Sequence, residues 1–167
     1  MKILITGSSG FIGFHLAKCL LDRGFFVKGI DSMNEYYDKT LKANRNKILL
    51  HEKNFEFEQL NLEESAKTIS IVEKFKPDLV IHLAAQAGVR YSSKDPYSYV
   101  SSNLIGSFNL LESVKQTGCE HLLLASTSSV YGGNKKTPFI EKDKTERQKS
   151  FYAATKKSME VMSHSYS

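Results

Sequence analysis

Short apolar runs alternate with longer stretches of helical periodicity along the whole chain. Lys2-Ile3-Leu4-Ile5-Thr6 is a compact apolar run, followed at once by Gly7-Ser8-Ser9-Gly10-Phe11-Ile12-Gly13. From there Phe11, Ile12, Phe14, His15, Leu16, Ala17, Leu20 and Leu21 supply a broad apolar face, with Lys18, Asp22 and Arg23 opposite and Gly24 as a stop. That spacing predicts strand, glycine turn, helix. Cys19 lies on the predicted helix and is expected to be buried. Phe25 to Ile30 reads as a second strand ending in Asp31, and Phe55 to Leu60 alternates with period two, predicting a third. A helix is expected from Glu63 to Lys74. Leu79-Val80-Ile81-His82-Leu83-Ala84 then forms a fourth strand, apolar nearly throughout, as parallel strands buried on both faces are. Asp95-Pro96 opens a long helix to about Gln116, Cys119 precedes the next strand, Leu122 to Ser126 is that fifth strand, and Tyr152 with Lys156 falls on a last helix.

Strands separated by helices, with no hairpin turns between them, imply right-handed crossovers. The predicted fold is therefore α/β, a Rossmann-like doubly wound parallel sheet with helices on both faces and ligands at the C-terminal ends of the strands. Candidate positions fall at each such end: Gly7 after the first strand, Asp31 after the second, Asn61-Leu62 after the third, Ala84-Ala85-Gln86 after the fourth and Ser126-Thr127 after the fifth. Residues 1–167 read as one domain. The polar, lysine-rich stretch from Gly132 to Ser150, interrupted by Pro138, predicts a surface loop near the site.

Composition narrows the class without changing this picture. With 41% apolar and 25% charged residues, the chain is an ordinary globular one, neither disordered nor fibrous. No apolar stretch approaches the roughly 20 residues that span a bilayer, and Met1-Lys2 runs into a strand without a signal peptide. No membrane partner is expected, and the cytoplasm is the expected location. Cys19 and Cys119 are isolated and lack metal-type spacing, so both are read as reduced and no metal is expected. The net charge of +5 comes from scattered lysines, with Lys135-Lys136 and Lys156-Lys157 the only adjacent basic pairs. No basic stripe with interleaved aromatics is present, so a nucleic-acid partner is not expected.

Two clusters carry chemistry. A helix places Tyr152 and Lys156 four residues apart on one face, where the ammonium can lower the phenol pKa from about 10 toward neutrality. A phenol so tuned acts as a base, and a hydroxyl arriving on a separate strand, that of Thr127, can hold an alcohol oxygen against it. At the other end of the chain, glycines between a strand and a helix let backbone approach a pyrophosphate at the helix N-terminus. Asp31 then accepts from a ribose 2′-hydroxyl and repels a 2′-phosphate, which favours NAD over NADP.

These residues resemble the N-terminal, cofactor-binding part of an extended short-chain dehydrogenase/reductase of the nucleotide-sugar epimerase and dehydratase group. The resemblance rests on Thr6-Gly7-x-x-Gly10-x-x-Gly13, Asp31, Leu83-Ala84-Ala85, Asn103-x-x-Gly106, Ser126 to Gly132 and Tyr152-x-x-x-Lys156, in the family's order across the chain. Within the group, Asn34-Glu35-Tyr36-Tyr37-Asp38, Ala85 to Ser92 and Tyr152 to Lys157 resemble the UDP-glucuronate 4-epimerases of capsular polysaccharide synthesis. Dehydratases of the group carry an Asp-Glu pair after the threonine, and decarboxylating relatives a glutamate before Val-Tyr-Gly. Here the pair is Ser128-Ser129, two hydroxyls that either bind a sugar carboxylate or merely end a strand beside the cofactor.

The resemblance implies an NAD-dependent isomerase. Tyr152 takes the sugar 4″-hydroxyl proton while C4″ passes hydride to NAD⁺; the 4-keto sugar turns over and hydride returns to its other face. Lys156 sustains the phenolate and bonds the nicotinamide ribose, and Thr127 bonds the reacting oxygen. Gly7, Gly10, Phe11, Ile12 and Gly13 cradle the pyrophosphate, Asp31 binds the adenosine ribose, Asn61 and Leu62 border the adenine, and Leu83, Ala84, Ala85 and Gln86 border the nicotinamide. Asn103 either reaches the cofactor or makes a structural hydrogen bond. Arg90, with Thr127, Ser128 and Ser129 on the substrate side, meets a phosphate or the carboxylate of a UDP-sugar, or is simply a surface arginine. Full-length members are expected to form homodimers. Asn61 departs from the family's usual aspartate, though its amide oxygen still accepts. Members of the group are also much longer, so the chain is expected to stop before the substrate-binding part. A UDP-glucose 4-epimerase, or a catalytically silent NAD-binding fragment, stays open as an alternative.

Overall fold

A computed structural model describes residues 1–167. Five strands, β1 (Lys2–Thr6), β2 (Phe26–Asp31), β3 (Phe55–Gln59), β4 (Leu79–His82) and β5 (His121–Leu124), form one sheet in the order β3-β2-β1-β4-β5. Every pairing is parallel; Thr6 lies opposite Ile30 on one side and His82 on the other. The winding reverses between β1 and β4, which makes the C-terminal end of β1 the switch point of a Rossmann-like sheet.

The helices are α1 (Phe11–Asp22), α2 (Lys39–Leu49), α3 (Ser65–Phe75), α4 (Pro96–Tyr99), α5 (Gly106–Thr117) and α6 (Phe151–His164). Side chains alternate across β1. Ile3 and Ile5 join Ala17, Leu21, Val27, Leu49, Phe55 and Ile81 in one core, whereas Leu4 joins Ile30, Leu60, Leu62, Val72, Val80 and Leu110 on the opposite face. Burial on both faces explains why β1 and β4 are apolar at successive positions. Between α4 and α5 the helix widens into a π-turn over Val100–Ile105, so the long helix expected from Pro96 onward is one run with a wide turn inside it.

Two expectations need correction. Cys19 is exposed rather than buried, because the buried stripe of α1 runs through Gly13, Ala17 and Leu21 at a spacing of four, and Cys19 stands about half a turn away from it. Phe11 and Ile12 also leave the core: the first turn of α1 points them outward, into the cleft described below.

α2 is not announced by any apolar periodicity, since its buried positions are Lys42, Asn46 and Leu49 while Leu41 and Ile48 are exposed. Its start is set locally instead, by the Asp38 carboxylate accepting from the Thr40 N–H at 2.8 Å. Residues 132–150 have no regular structure. They close on themselves through Asn134 Nδ2 donating to Lys144 O at 2.9 Å and Gln148 Nε2 donating to Val130 O at 3.2 Å. No helix is long and apolar enough to cross a membrane.

Candidate active site

A cleft of about 560 Å³ opens across the C-terminal ends of the strands. At its centre the chain leaves β1 through Gly7 at φ 74°, where a Cβ would sit 2.8 Å from Ala84 N. At Gly13 a Cβ would lie 2.2 Å from Gly7 O, so helix and turn pack backbone against backbone. No side chain caps α1 at Gly10, its first turn holds no acid, and the N–H groups of Phe11, Ile12 and Gly13 have no backbone acceptor. Three free donors and the positive end of the helix dipole make this the anion-binding part of the cleft.

On the β2 side, Asp31 is 5% exposed and closely held. Its Oδ2 accepts from Ser9 N–H at 3.1 Å, and its Oδ1 accepts from Met33 N–H at 2.8 Å and from Lys42 Nζ at 3.2 Å. Lys42 also donates to Asn34 Oδ1 at 3.1 Å; Arg45 donates to Ser9 O at 3.3 Å, with its guanidinium 5.8 Å from the Phe11 ring centroid. Lys42, Arg45, Tyr36 and Tyr37 all line the cleft, and sequence reasoning missed them as site residues. The available signal was the spacing Lys42, Asn46, Leu49, a helix face whose polar members have to look at something polar.

On the β4 side, Thr6 Oγ1 accepts from Ala84 N–H at 3.1 Å and is hydrogen-bonded to His82 Nδ1 at 2.7 Å, while His82 Nε2 meets Ser107 Oγ at 3.0 Å. Burial, aided by the positive charge of Lys156, pushes the His82 pKa down to about 3. The imidazole is therefore a neutral strut that ties the exit of β4 to the end of β1. Leu83, Ala84, Ala85 and Gln86 follow it along the wall of the cleft. Asn103, on the π-turn, is buried and does not line the cleft. Its Oδ1 accepts from Gln86 N–H at 2.7 Å, and its Nδ2 donates to Gln86 O at 3.0 Å and Thr155 Oγ1 at 3.1 Å. Its amide is thus spent on pinning the Gln86 backbone to α6.

α6 begins at Ser150, whose hydroxyl accepts from Ala153 N–H at 3.1 Å, and brings Tyr152 and Lys156 into the same cleft. Lys156 is 3% exposed, and its only hydrogen-bond acceptor is Met159 Sδ at 3.5 Å. Burial draws its pKa down to about 8, against a smaller opposing pull from Glu160. A buried ammonium with no oxygen acceptor is a site waiting for one.

The remaining candidates sit around the rim or outside it. Thr127 Oγ1 accepts from Ser129 N–H at 3.2 Å, which starts a 3₁₀ turn over Ser128–Tyr131 and leaves the threonine proton free to donate. Ala125 and Ser126 line the cleft, whereas Thr127, Ser128 and Ser129, next in the chain, are not among its lining residues. Ser126 Oγ donates to Glu160 Oε1, joining the end of β5 to α6. Arg90 and Asn61 are exposed and outside the cleft; Leu62 and its neighbour Glu63 line it. The whole arrangement has the shape of a dinucleotide cleft, with the glycine turn in the middle, the buried Asp31 carboxylate at one end and Tyr152 with Lys156 at the other.

The model of the GDP-mannose 4,6-dehydratase family matches residues 4–167. The chain belongs to this family. It is 53% identical over 166 residues to a probable UDP-glucuronate 4-epimerase of Rhizobium meliloti, covering 99% of this chain and 49% of that protein. The UDP-glucuronic acid 4-epimerase from Bacillus cereus, solved with UDP-glucuronic acid and NAD, superposes with a TM-score of 0.89 at 36% identity, over 99% of this chain and 52% of that one. Thermus thermophilus UDP-glucose 4-epimerase, solved with NAD, superposes at 0.84 and 34% identity, over 99% and 50%. This member of the GDP-mannose 4,6-dehydratase family therefore spans about half the length of the relatives it matches.

Proposed function

We propose that residues 1–167 are the NAD-binding Rossmann domain of an NAD-dependent nucleotide-sugar 4-epimerase that interconverts UDP-glucuronate and UDP-galacturonate. The observation that carries this reading is Lys156, an ammonium buried without an oxygen acceptor, one helical turn from Tyr152 in a cleft shared with the glycine cradle. The names of the relatives agree with it. When bound, NAD accepts hydride from C4″ of the sugar and returns it to the opposite face.

In this reading the protein's own residues hold and move the proton. Tyr152 takes it from the 4″-hydroxyl, Lys156 stabilises the phenolate and bonds the nicotinamide ribose, and Thr127 donates its free proton to the reacting oxygen. The free N–H groups of Phe11, Ile12 and Gly13 receive the pyrophosphate beside Gly7 and Gly10. Asp31 and Lys42 take the adenosine ribose, Leu62 borders the adenine with Asn61 behind it, and Leu83 to Gln86 face the nicotinamide. Asn103 acts indirectly, through Gln86. Ser128 and Ser129 suit a sugar carboxylate because they donate without adding a like charge, and Arg90, exposed outside the cleft, is assigned to an anionic group of the substrate.

The same reading places the protein in the cytoplasm and as a homodimer. Ile105 at the end of the π-turn, Phe108 on α5 and Val161 on α6 are exposed apolar side chains on neighbouring helical segments, suited to a second copy. Sedimentation measures that state directly.

Calorimetric titration with NAD tests the cofactor assignment, with saturable binding in the micromolar range expected; no heat up to millimolar NAD refutes it. Turnover by the full-length protein on UDP-glucuronate and UDP-glucose tests the substrate. A preference for UDP-glucose replaces this reading by the UDP-glucose 4-epimerase one.

A further inference from the structure

Asn34 to Asp38 and Ala85 to Ser92, two stretches far apart in sequence, meet across the cleft. The first follows β2 and the second follows β4, the two strands that flank β1. A contact between them therefore passes over the end of β1 and its glycine turn. That contact is Tyr36 on Gly88. A Cβ on Gly88 would lie 2.4 Å from Tyr36 Oη, so the hydroxyl fills the space that any other residue's side chain would take, and Gly88 itself adopts φ +102°. The Tyr36 ring also packs on Tyr91 with centroids 4.9 Å apart.

The two sides of this contact differ in rigidity. On the β4 side, Tyr99 is fully buried and its hydroxyl reaches the carbonyl oxygens of both Ala87, at 2.7 Å, and Gly88, at 2.6 Å. Burial raises the Tyr99 pKa to about 12, so it stays a donor at every physiological pH. On the β2 side, the segment is held at its ends, where Met33 N–H and Lys42 bind Asp31, Lys42 binds Asn34, and Asp38 caps α2, and between them only by a solvent-exposed ion pair of Glu35 with Lys39. Tyr36 makes no hydrogen bond of its own; its hold on Gly88 and Tyr91 is packing alone. Such a contact forms readily and opens at small cost. Tyr36, Tyr37 and Ala87 line the same cleft as Gly7, Gly10 and Gly13.

Building on the NAD reading above, we infer that Tyr36 is a cofactor-retaining residue: seated on Gly88, it bridges the cleft, and the dinucleotide enters and leaves only when that contact opens. A bridge that has to open slows entry and exit by the same factor, whereas a residue that merely touches the ligand slows exit alone. Stopped-flow mixing of the 167-residue chain with NADH, followed by nicotinamide fluorescence, separates the two. For Tyr36→Ala, both the association and dissociation rate constants are expected to rise about three- to tenfold, the scale of one lost aromatic contact, with Kd changed less than about twofold. Tyr91→Ala removes the ring on which Tyr36 leans and is expected to give the same paired acceleration, so the result does not hang on one variant folding. An unchanged association rate in either folded variant overturns the inference, whether or not dissociation accelerates. If the wild-type chain itself fails to bind NADH, it is the cofactor assignment that fails.

Discussion

Replacing Lys156 by methionine keeps most of the side-chain volume and removes the buried charge. Lys156 is 3% exposed and has only a sulfur as acceptor; burial moves its pKa from 10.5 to about 8. That difference corresponds to about 3 kcal/mol that folding spends on keeping the ammonium dry, an upper bound because solvent relaxation reduces it. The sign follows from proton linkage. Between pH 8 and 10.5 the unfolded chain holds the proton and the folded chain has largely released it, so this group's contribution becomes more favourable as pH rises through that window. Below pH 8 the full penalty applies; above 10.5 none does. Lys156→Met is therefore expected to be more stable than wild type at pH 7, by up to about 3 kcal/mol or roughly 6–10 °C in melting temperature, with the gap closing as pH approaches 10.5. Thermal melts of both proteins from pH 7 to 10.5 measure it, and the difference between them cancels the other lysines and tyrosines. The same variant is expected to lose at least about tenfold in NAD affinity, because the ammonium and the ribose hydrogen bond proposed for it are gone. A variant that melts at or below wild type at pH 7, with a gap that does not change with pH, would refute the reasoning.

Other sites give sharper structural tests. Asp31→Ala strands the Lys42 ammonium in a buried position and is expected to cost about 3–5 kcal/mol in urea denaturation, more than the double change Asp31→Ala with Lys42→Met. Gly13→Ala puts a methyl 2.2 Å from a carbonyl oxygen; NAD binding by calorimetry should disappear, along with about 2–3 kcal/mol of stability. Asn103→Leu removes three hydrogen bonds at near-constant volume and leaves the Gln86 backbone unpaired, with an expected loss of about 2–4 kcal/mol and faster amide exchange at Gln86. Tyr152→Phe removes only the phenol oxygen, so NAD affinity should stay within about threefold while turnover by the full-length protein falls at least about a thousandfold.

The elements that local spacing specifies are the ones legible in the sequence. The strand, glycine turn and helix at residues 2–22 are specified by neighbours in the chain, as is the helical register of Tyr152 and Lys156, and the structure places all of these around one cleft. Asp31 was readable for the same reason, since a strand's end is a local event. Departures arise where phase against the sheet matters. Cys19 belongs to a helix correctly placed but is turned away from its buried stripe, and α2 hides Lys42 and Arg45 behind a polar inner face that hydrophobic periodicity cannot register.

By itself, then, the sequence determined the order of the strands, the helices other than α2 and the chemical equipment at each strand's end, because these depend on residues a few positions apart. Which side chains meet was decided only in three dimensions. The parallel sheet carries loops from β2 and β4 over the end of β1, setting Tyr36 on Gly88 and Lys42 on Asp31, and it folds Asn103 back onto Gln86 instead of into the cleft. These contacts join positions 11 to 52 residues apart through packing and shared burial, and no period in the chain encodes them.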